Sequence, residues 1–391
     1  MPLYKEAPVS SARMGRLWTL APVKEICVLE FGCMGHMIYA EKWRRTVECS
    51  LGAKLYSTHL NEKEIILGST ARLEQAIAHL VEKESPKALF LIPSSVGEVI
   101  GTDITAMIEE LQEHFPETTL YVSRMGGLRN TFAQGMSEAM LQLVQAYTCP
   151  CEERENSFNL LGCCSDWANW HADAEEIIRI MNGALGLHPQ CVLPGLCHAD
   201  DIVNIGRARI NLVMRHEALS TAQWLNRQFG TPYIEGIPCG TQATQSWLLR
   251  LGERMNMPVK DDWLANEIAR TQLQAQACRQ ALAKYPVSLG GHADQVIRIQ
   301  CFLQDELGLS LQAIWSSDRK MEGMPFCSDE AMSHAPMKGL LLAPYAVVRK
   351  AGLPEQFSLS WGPSIRKEMG PMVGFKGVET LMTLAEMEIS G

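Results

Sequence analysis

The alternation of short apolar runs with amphipathic helical segments is the feature that most restricts how this chain can fold. Residues 88–92 read Ala-Leu-Phe-Leu-Ile, a continuous apolar run of the kind that parallel sheets bury on both faces. The segment before it, residues 70–84, carries apolar side chains at helical spacing. Strand-like and helix-like segments continue to alternate along the rest of the chain. The pattern therefore predicts an α/β protein with parallel sheets.

The sequence divides into three such units, each predicted to be a Rossmann-like domain. The predicted domains are residues 1–155, 156–284 and 285–391, because a chain of 391 residues is too long for one ordinary core. A polar helix over residues 261–284 is predicted to bridge the second and third domains, and a further helix to close the chain. The chain has no Walker A motif, so we find no basis for it to hydrolyse ATP itself.

Three further elements are predicted from the same patterns. Residues 96–103 are predicted to open a helix that runs to about His114, with Asp103 as an acid at the helix N-terminus. Another is predicted over residues 293–307, and a strand over residues 357–361.

Composition excludes several classes of partner. The net charge is −9, the sequence pI is about 5.6 and no tract of Lys and Arg stands out, which argues against nucleic acid and anionic lipid as partners. No stretch approaches the roughly 18 apolar residues of a membrane span. The N-terminal residues lack the apolar segment of a signal peptide, so the expected location is the cytoplasm. The 13 cysteines are odd in number, and their spacing fits neither a disulfide framework nor a zinc ribbon.

The stretch around Cys33 is the strongest candidate for chemistry. An apolar strand ends at Gly32-Cys33, and Gly35 follows almost at once. Glycines on both sides let the backbone come close to a bulky group, and they leave the thiol at the end of an element. Thiolates placed in this way commonly serve as metal ligands. The alternative is an unreactive cysteine buried at a strand end.

Several short motifs occur in an order that resembles one known family. They are Phe31-Gly-Cys33, Ser57–Gly68, Ser94-Ser95 through Gly101-Thr-Asp103, Phe229-Gly-Thr-Pro-Tyr233 and Gly374-Phe-Lys-Gly377. In this order the set is similar to the nitrogenase component-one superfamily, which includes cofactor scaffold proteins and protochlorophyllide reductase. No single motif is decisive, but together they cover most of the chain.

The resemblance implies a shared iron–sulfur cluster. Family subunits that supply a full set of ligands to this cluster use three cysteines. The matching positions here are Ala12, Cys33 and Ser95, so only Cys33 is a cysteine. Serine and alanine do not simply replace thiolates as cluster ligands. The resemblance therefore implies a β-like subunit whose Cys33, between Gly32 and Gly35, gives one ligand to a 4Fe-4S cluster. A homologous α-like subunit would give the others within a heterotetramer, and an ATP-dependent P-loop iron protein would deliver electrons.

Two alternatives remain open at this point. One is a non-catalytic assembly subunit that has lost cluster binding. The other is a homodimeric tetrapyrrole reductase, which needs a second ligand in each chain. Cys27 is the candidate for that ligand. In either arrangement, Cys27 or Cys49 could also stand in, from a shifted position, for one of the two missing family cysteines.

A second, catalytic cofactor is not expected in this subunit. The position that matches the family's cofactor cysteine is Arg215, and no histidine lies in the matching segment, residues 359–361. Arg215-His216 is predicted either to face a cavity and touch an anionic group or to form an ion pair at the surface. Residues 62–64, Glu-Lys-Glu, are read either as part of the docking face for the iron protein or as a solvated helix start.

Overall fold

The computed structural model describes residues 11–35, 37–38, 52–67, 71–94, 103–123, 130–151, 153–332, 339–344, 347–348 and 370–389. These residues form three sheets, and each sheet contains parallel strand pairings. The predicted α/β fold with parallel sheets is confirmed.

The first sheet contains four strands in the order β2-β1-β3-β4. They are β1 (Cys27–Phe31), β2 (Lys54–Ser57), β3 (Ala88–Pro93) and β4 (Thr119–Val122). The central strands β1 and β3 are buried at every residue, as their unbroken apolar character predicts. The sequence analysis missed β2, because this edge strand is only half-buried and carries no apolar run.

The named helices in the described residues of this region are α1 (Ala12–Leu20), α2 (Glu62–Leu67), α3 (Ala71–Glu84), α4 (Ile104–Gln112) and α5 (Phe132–Tyr147). The helix that the sequence predicts to open in residues 96–103 begins at Ile104, and Asp103, expected as an acid at the helix N-terminus, is its N-cap residue. The Asp103 carboxylate accepts a hydrogen bond from the Ala106 amide at 3.0 Å. Residues 96–101 lie outside the described part of the chain.

Helices α1 and α5 approach each other closely at two glycines. A Cβ on Gly135 would lie 2.0 Å from the Ala12 carbonyl oxygen, and a Cβ on Gly15 would lie 2.0 Å from the Phe132 carbonyl oxygen. Any larger residue at either position would force the two helices apart, so these glycines are required by packing.

A buried arginine joins α1 to α5. Arg16 is fully buried and donates hydrogen bonds to Glu138 and Gln142, both at 2.9 Å. Glu138 also accepts a hydrogen bond from the Ser123 hydroxyl at 2.6 Å. Burial lowers the pKa of Arg16, and the neighbouring Glu138 carboxylate opposes that shift. The guanidinium is therefore a charge that the interior tolerates only with its partners in place.

The second sheet contains four strands in the order β6-β5-β7-β8. They are β5 (Ser157–Cys163), β6 (His188–Pro194), β7 (Ile210–Val213) and β8 (Tyr233–Glu235). The helices that alternate with them along the chain are α6 (Trp170–Leu185), α7 (Ala199–Val203), α8 (Leu219–Phe229) and α9 (Thr241–Met255).

The third sheet contains three strands in the order β10-β9-β11, namely β9 (Val287–Gly291), β10 (Leu311–Ser316) and β11 (Leu340–Leu342). The helices in this part of the chain are α10 (Asp261–Leu282), α11 (Ala293–Cys301), α12 (Asp329–Met332) and α13 (Lys376–Ile389). The helix predicted over 293–307 is confirmed to Glu306, although its last part, Phe302–Glu306, is π-helical. The strand predicted over 357–361 lies outside the described residues.

Internal contacts divide the chain into two compact units. The first consists of Met1–Glu152, Leu193–Gly206 and Glu217–Phe229, and the second of Glu153–Val192, Arg207–His216 and Gly230–Gly391. The three-domain boundaries at 155 and 284 stay a prediction. Within the described ranges, no helix combines the length and the apolar character needed to cross a lipid bilayer.

Candidate metal site at Cys33

Cys33 lies at the carboxyl edge of the first sheet. Strand β1 pairs in parallel with β2 on one side and β3 on the other. Because parallel strands end at the same edge, the residues that follow them meet there. Thr58 follows β2, Ser94 follows β3, and Gly32-Cys33 follows β1 between them. The sequence prediction that the thiol stands at a strand end is therefore confirmed by its position.

Hydrogen bonds hold the backbone just before Cys33 from both sides. The Gly32 amide donates to the Thr58 hydroxyl at 3.0 Å, and the Gly32 carbonyl accepts from the Leu60 amide at 2.9 Å. On the other side, the Ser94 amide donates to the Phe31 carbonyl at 3.0 Å. These bonds fix the start of the loop, which is what a ligand-bearing loop requires.

The two glycines that flank Cys33 differ in their surroundings. A Cβ on Gly32 would lie 2.5 Å from the Ser94 hydroxyl oxygen, so only glycine fits there. No described atom lies within 4 Å of the position that a Cβ on Gly35 would take. Cys33 is partly buried, whereas Met34 is 40% and Ile38 62% exposed. Among the described residues, the loop is thus supported from beneath and open on its outer side.

A buried ion pair lies close to the same loop. Glu30, three residues before Cys33, is 2% exposed and accepts a hydrogen bond from Arg13 Nε at 2.7 Å. Burial raises the pKa of Glu30, and the Arg13 guanidinium opposes that shift. Arg13 belongs to α1, so this pair ties that helix to the strand that carries the thiol. The sequence analysis missed the pair, since nothing local links residues 13 and 30.

Cys27 is too far away to act beside Cys33. Cys27 is the first residue of β1 and Cys33 follows the end of that strand, six positions later, which is roughly 20 Å for an extended chain. Cys27 is 2% exposed, and burial raises the pKa of its thiol to about 11. Its geometry argues against the displaced-ligand reading. Cys49, the other candidate, lies outside the described residues.

We expect Cys27 to resist alkylation in the folded protein. With a pKa of about 11, only about one thousandth of the thiol is thiolate at about pH 8, and the thiolate is the nucleophile. Exposed Cys149 is the matched control and is expected to react readily with iodoacetamide. Peptide mass spectrometry after a short labelling time measures both sites. Equal labelling of the two would show that Cys27 is accessible and would reopen its candidacy as a ligand.

Ala12 and Ser95 are the positions that match the family's other two cluster cysteines. Ala12 is fully buried in the first turn of α1, where Gly135 packs against its backbone. Ser95 lies outside the described residues.

The segment 62–64 is a capped helix start. The Glu64 carboxylate accepts from the Asn61 amide at 2.9 Å, and the Asn61 side-chain oxygen accepts from the Glu64 amide at 3.0 Å. This reciprocal pair fixes the first turn of α2. The role of the segment in docking stays a prediction.

Arg215 occupies the interior of the second unit and does not lie at the surface. It is 2% exposed, and its Nη1 lies 2.7 and 2.8 Å from the two carboxylate oxygens of Asp166. Its guanidinium lies 4.4 Å from the centre of the Trp167 ring, and that of Arg298 lies 5.1 Å from the same ring. The alternative of an ion pair at the surface is therefore wrong in its location, because Arg215 is buried. It is right that Arg215 pairs with a carboxylate. An arginine at this position offers neither thiol nor imidazole to a second metal cofactor.

Comparison with known proteins gives the class of protein. The profile described as "Nitrogenase component 1 type Oxidoreductase" matches residues 11–334. The chain therefore belongs to the nitrogenase component-one family, as the ordered motifs predicted.

The individual relatives have low sequence identity to this chain. The chain is 26% identical to "Nitrogenase iron-molybdenum cofactor biosynthesis protein NifE" of Clostridium pasteurianum over 243 residues, which are 60% of this chain and 51% of that protein. It is 25% identical to a subunit of the light-independent protochlorophyllide reductase of Roseobacter denitrificans over 266 residues, 65% of this chain and 49% of the relative. The chain thus spans about half the length of these curated relatives.

A solved structure supports the fold over the whole chain. The structure "Nitrogenase Cp1 at pH 6.5" superposes with a TM-score of 0.74, and the match covers 100% of this chain and 95% of the other. The sequence identity is 16%, so this likeness supports the fold alone.

Proposed function

We propose that this chain is the β-like subunit of a nitrogenase-like complex, where Cys33 gives one thiolate to a 4Fe-4S cluster shared with a homologous α-like chain. The observation that carries the proposal is the Cys33 loop, which has a single thiol, a fixed backbone behind it and an open outer side among the described residues. Family membership is the reason to consider iron and sulfide here. The complex is either a reductase or a scaffold for cofactor assembly.

The described residues at this edge can supply one of the four ligands of a cluster. Clusters of this type take four ligands, usually thiolates. Among the described residues of the loop and of the neighbouring strand ends, Cys33 is the one thiol, and Cys27 is buried at the far end of β1. The space beside Gly35 and the Ser94 hydroxyl, which has no partner among the described residues, leave room and a polar contact for a group bound at Cys33. The described residues supply no second ligand at this edge, so in the proposed complex the other three come from the partner chain.

Electron supply is the second part of the proposal. A cluster at a subunit contact is shielded from water, and its potential is set by burial and hydrogen bonds. Electrons would come singly from an ATP-dependent iron protein, since this chain has no Walker A motif of its own. The capped start of α2, with Glu62 and Glu64 near the thiol loop in sequence, is the proposed docking segment.

Anaerobic co-expression tests the proposal. A tag on this chain captures its partner, and iron, sulfide and visible absorption are measured for the pair and for this chain alone. We expect one 4Fe-4S cluster per shared site in a heterotetramer, and none in the isolated chain. A complete cluster in the isolated chain would favour the homodimeric reductase. A colourless pair would favour an assembly subunit without a cluster.

A further inference from the structure

The hydroxyl of Ser94 is unusual among the polar groups at the edge that carries Cys33. Ser94 is 0% exposed, and its Oγ has no hydrogen-bond partner among the described residues. The hydroxyl of Thr58, at the same edge, both accepts from the Gly32 amide and donates to the Gly32 carbonyl. Buried hydroxyls are normally paired, so an orphan of this kind indicates a contact that the described part of the chain does not supply.

The position of this hydroxyl points to the loop that carries the thiol. Phe31 pairs with Pro93 across the two strands, so Gly32 and Ser94 come next on either side. The Ser94 Oγ lies 2.5 Å from the point that a Cβ on Gly32 would occupy. The absence of a side chain at Gly32 is what leaves room for the hydroxyl, directly beside the backbone that leads into Cys33.

The nearest carboxylate does not account for the hydroxyl. Glu30 Oε1 faces the same point from 3.7 Å, but it is held by Arg13 at 2.7 Å. The Ser94 backbone amide is also occupied, because it donates to the Phe31 carbonyl. The strand end at Ser94 is thus fixed, while its hydroxyl hydrogen is uncommitted among the described residues.

We propose that Ser94 donates this hydrogen bond to the sulfur group at Cys33, either the thiolate or an inorganic sulfide of the cluster. This inference rests on the proposed function. A donor to a cluster sulfur stabilises the reduced, more negative form and raises the reduction potential. Ser94 is then a residue that tunes the potential without being a ligand.

The test uses the co-expressed, cluster-loaded pair. Ser94→Ala is expected to lower the equilibrium constant for reduction about tenfold. For a one-electron step this moves the midpoint potential by about 59 mV to more negative values. Iron content should stay unchanged, because the thiolate remains. The readout is a redox titration followed by visible absorption or electron paramagnetic resonance.

Thr58→Val is the matched control. It removes a hydroxyl from the same edge, but one that is already paired within the chain. It is expected to lower the melting temperature and to leave the potential unchanged. Ser94→Ala is expected to shift the potential of the loaded pair, and to leave the melting temperature of the isolated chain without a cluster near that of the wild type, because the Ser94 hydroxyl has no hydrogen-bond partner among the described residues there.

The outcomes separate this inference from the proposed function. A fully loaded Ser94→Ala pair with an unchanged potential overturns the role of Ser94 and leaves the proposed function intact. Equal shifts in both variants also overturn it, because they would reflect a general disturbance of the loop. Loss of iron in Ser94→Ala alone also overturns it, because Ser94 would then be needed to retain the cluster and would not merely tune its potential. A wild-type pair without a cluster overturns the proposed function, and this inference with it.

Discussion

Replacing Cys33 with alanine is expected to remove nearly all iron and sulfide from the purified pair. Among the described residues, Cys33 is the thiol at the open edge of the first sheet, and in the proposed complex the partner chain would lack the fourth ligand without it. Iron and sulfide analysis of the anaerobically purified pair, together with visible absorption, measures the loss.

Cys149→Ala is the matched control for this variant. Cys149 is exposed and follows α5, away from the loop in sequence, so its removal should leave the cluster in place. The melting temperature of Cys33→Ala should also stay near that of the wild type, because the side chain is only partly buried. A Cys33→Ala pair with its full cluster would refute the ligand role.

Replacing Arg16 with methionine is expected to cause the largest loss of stability. The substitution removes the Arg16 guanidinium from a largely buried ion pair, since the Arg16 and Glu138 side chains are 1% and 14% exposed. Breaking a buried ion pair in this way costs about 3–5 kcal/mol. We expect a clearly lower melting temperature and faster proteolysis, measured by calorimetry and limited digestion.

Arg207→Met provides the comparison for an exposed ion pair. Arg207 and Glu155 also form a pair at 2.9 Å, but their side chains are 44% and 40% exposed. An exposed pair of this kind contributes about 0–1 kcal/mol, so the melting temperature should hardly change. Equal effects of the two substitutions would contradict the structural role given to Arg16.

The sequence predicted the architecture well where the signal was local. The central strands β1 and β3 are continuous apolar runs, and a strand buried on both faces requires such a run. Asp103 was predicted as an acid at a helix N-terminus, and its carboxylate caps α4. The edge strand β2 was missed because its exposed face needs no apolar residues. The π-helical turn after Cys301 has no local sequence signal that would mark it.

The candidate site could be predicted only in part. The thiol and its flanking glycines are visible in the sequence, and the structure gives a reason for Gly32 in the Ser94 side chain. The ion pair of Arg13 with Glu30 joins residues 17 positions apart, so no periodicity reveals it. The buried Arg215 pairs with Asp166, 49 positions earlier, so the sequence alone could not distinguish a buried from a surface position for Arg215. Long-range pairing of charges is what pattern analysis could not supply.

The most direct measurement places a spectroscopic label on the proposed ligand atom. Cys33 is replaced by selenocysteine in the co-expressed pair, and X-ray absorption is recorded at the selenium edge under anaerobic conditions. The account predicts that iron is a directly bonded neighbour of selenium. Selenium bonded to carbon alone, in a pair that still carries its full iron content, would contradict it.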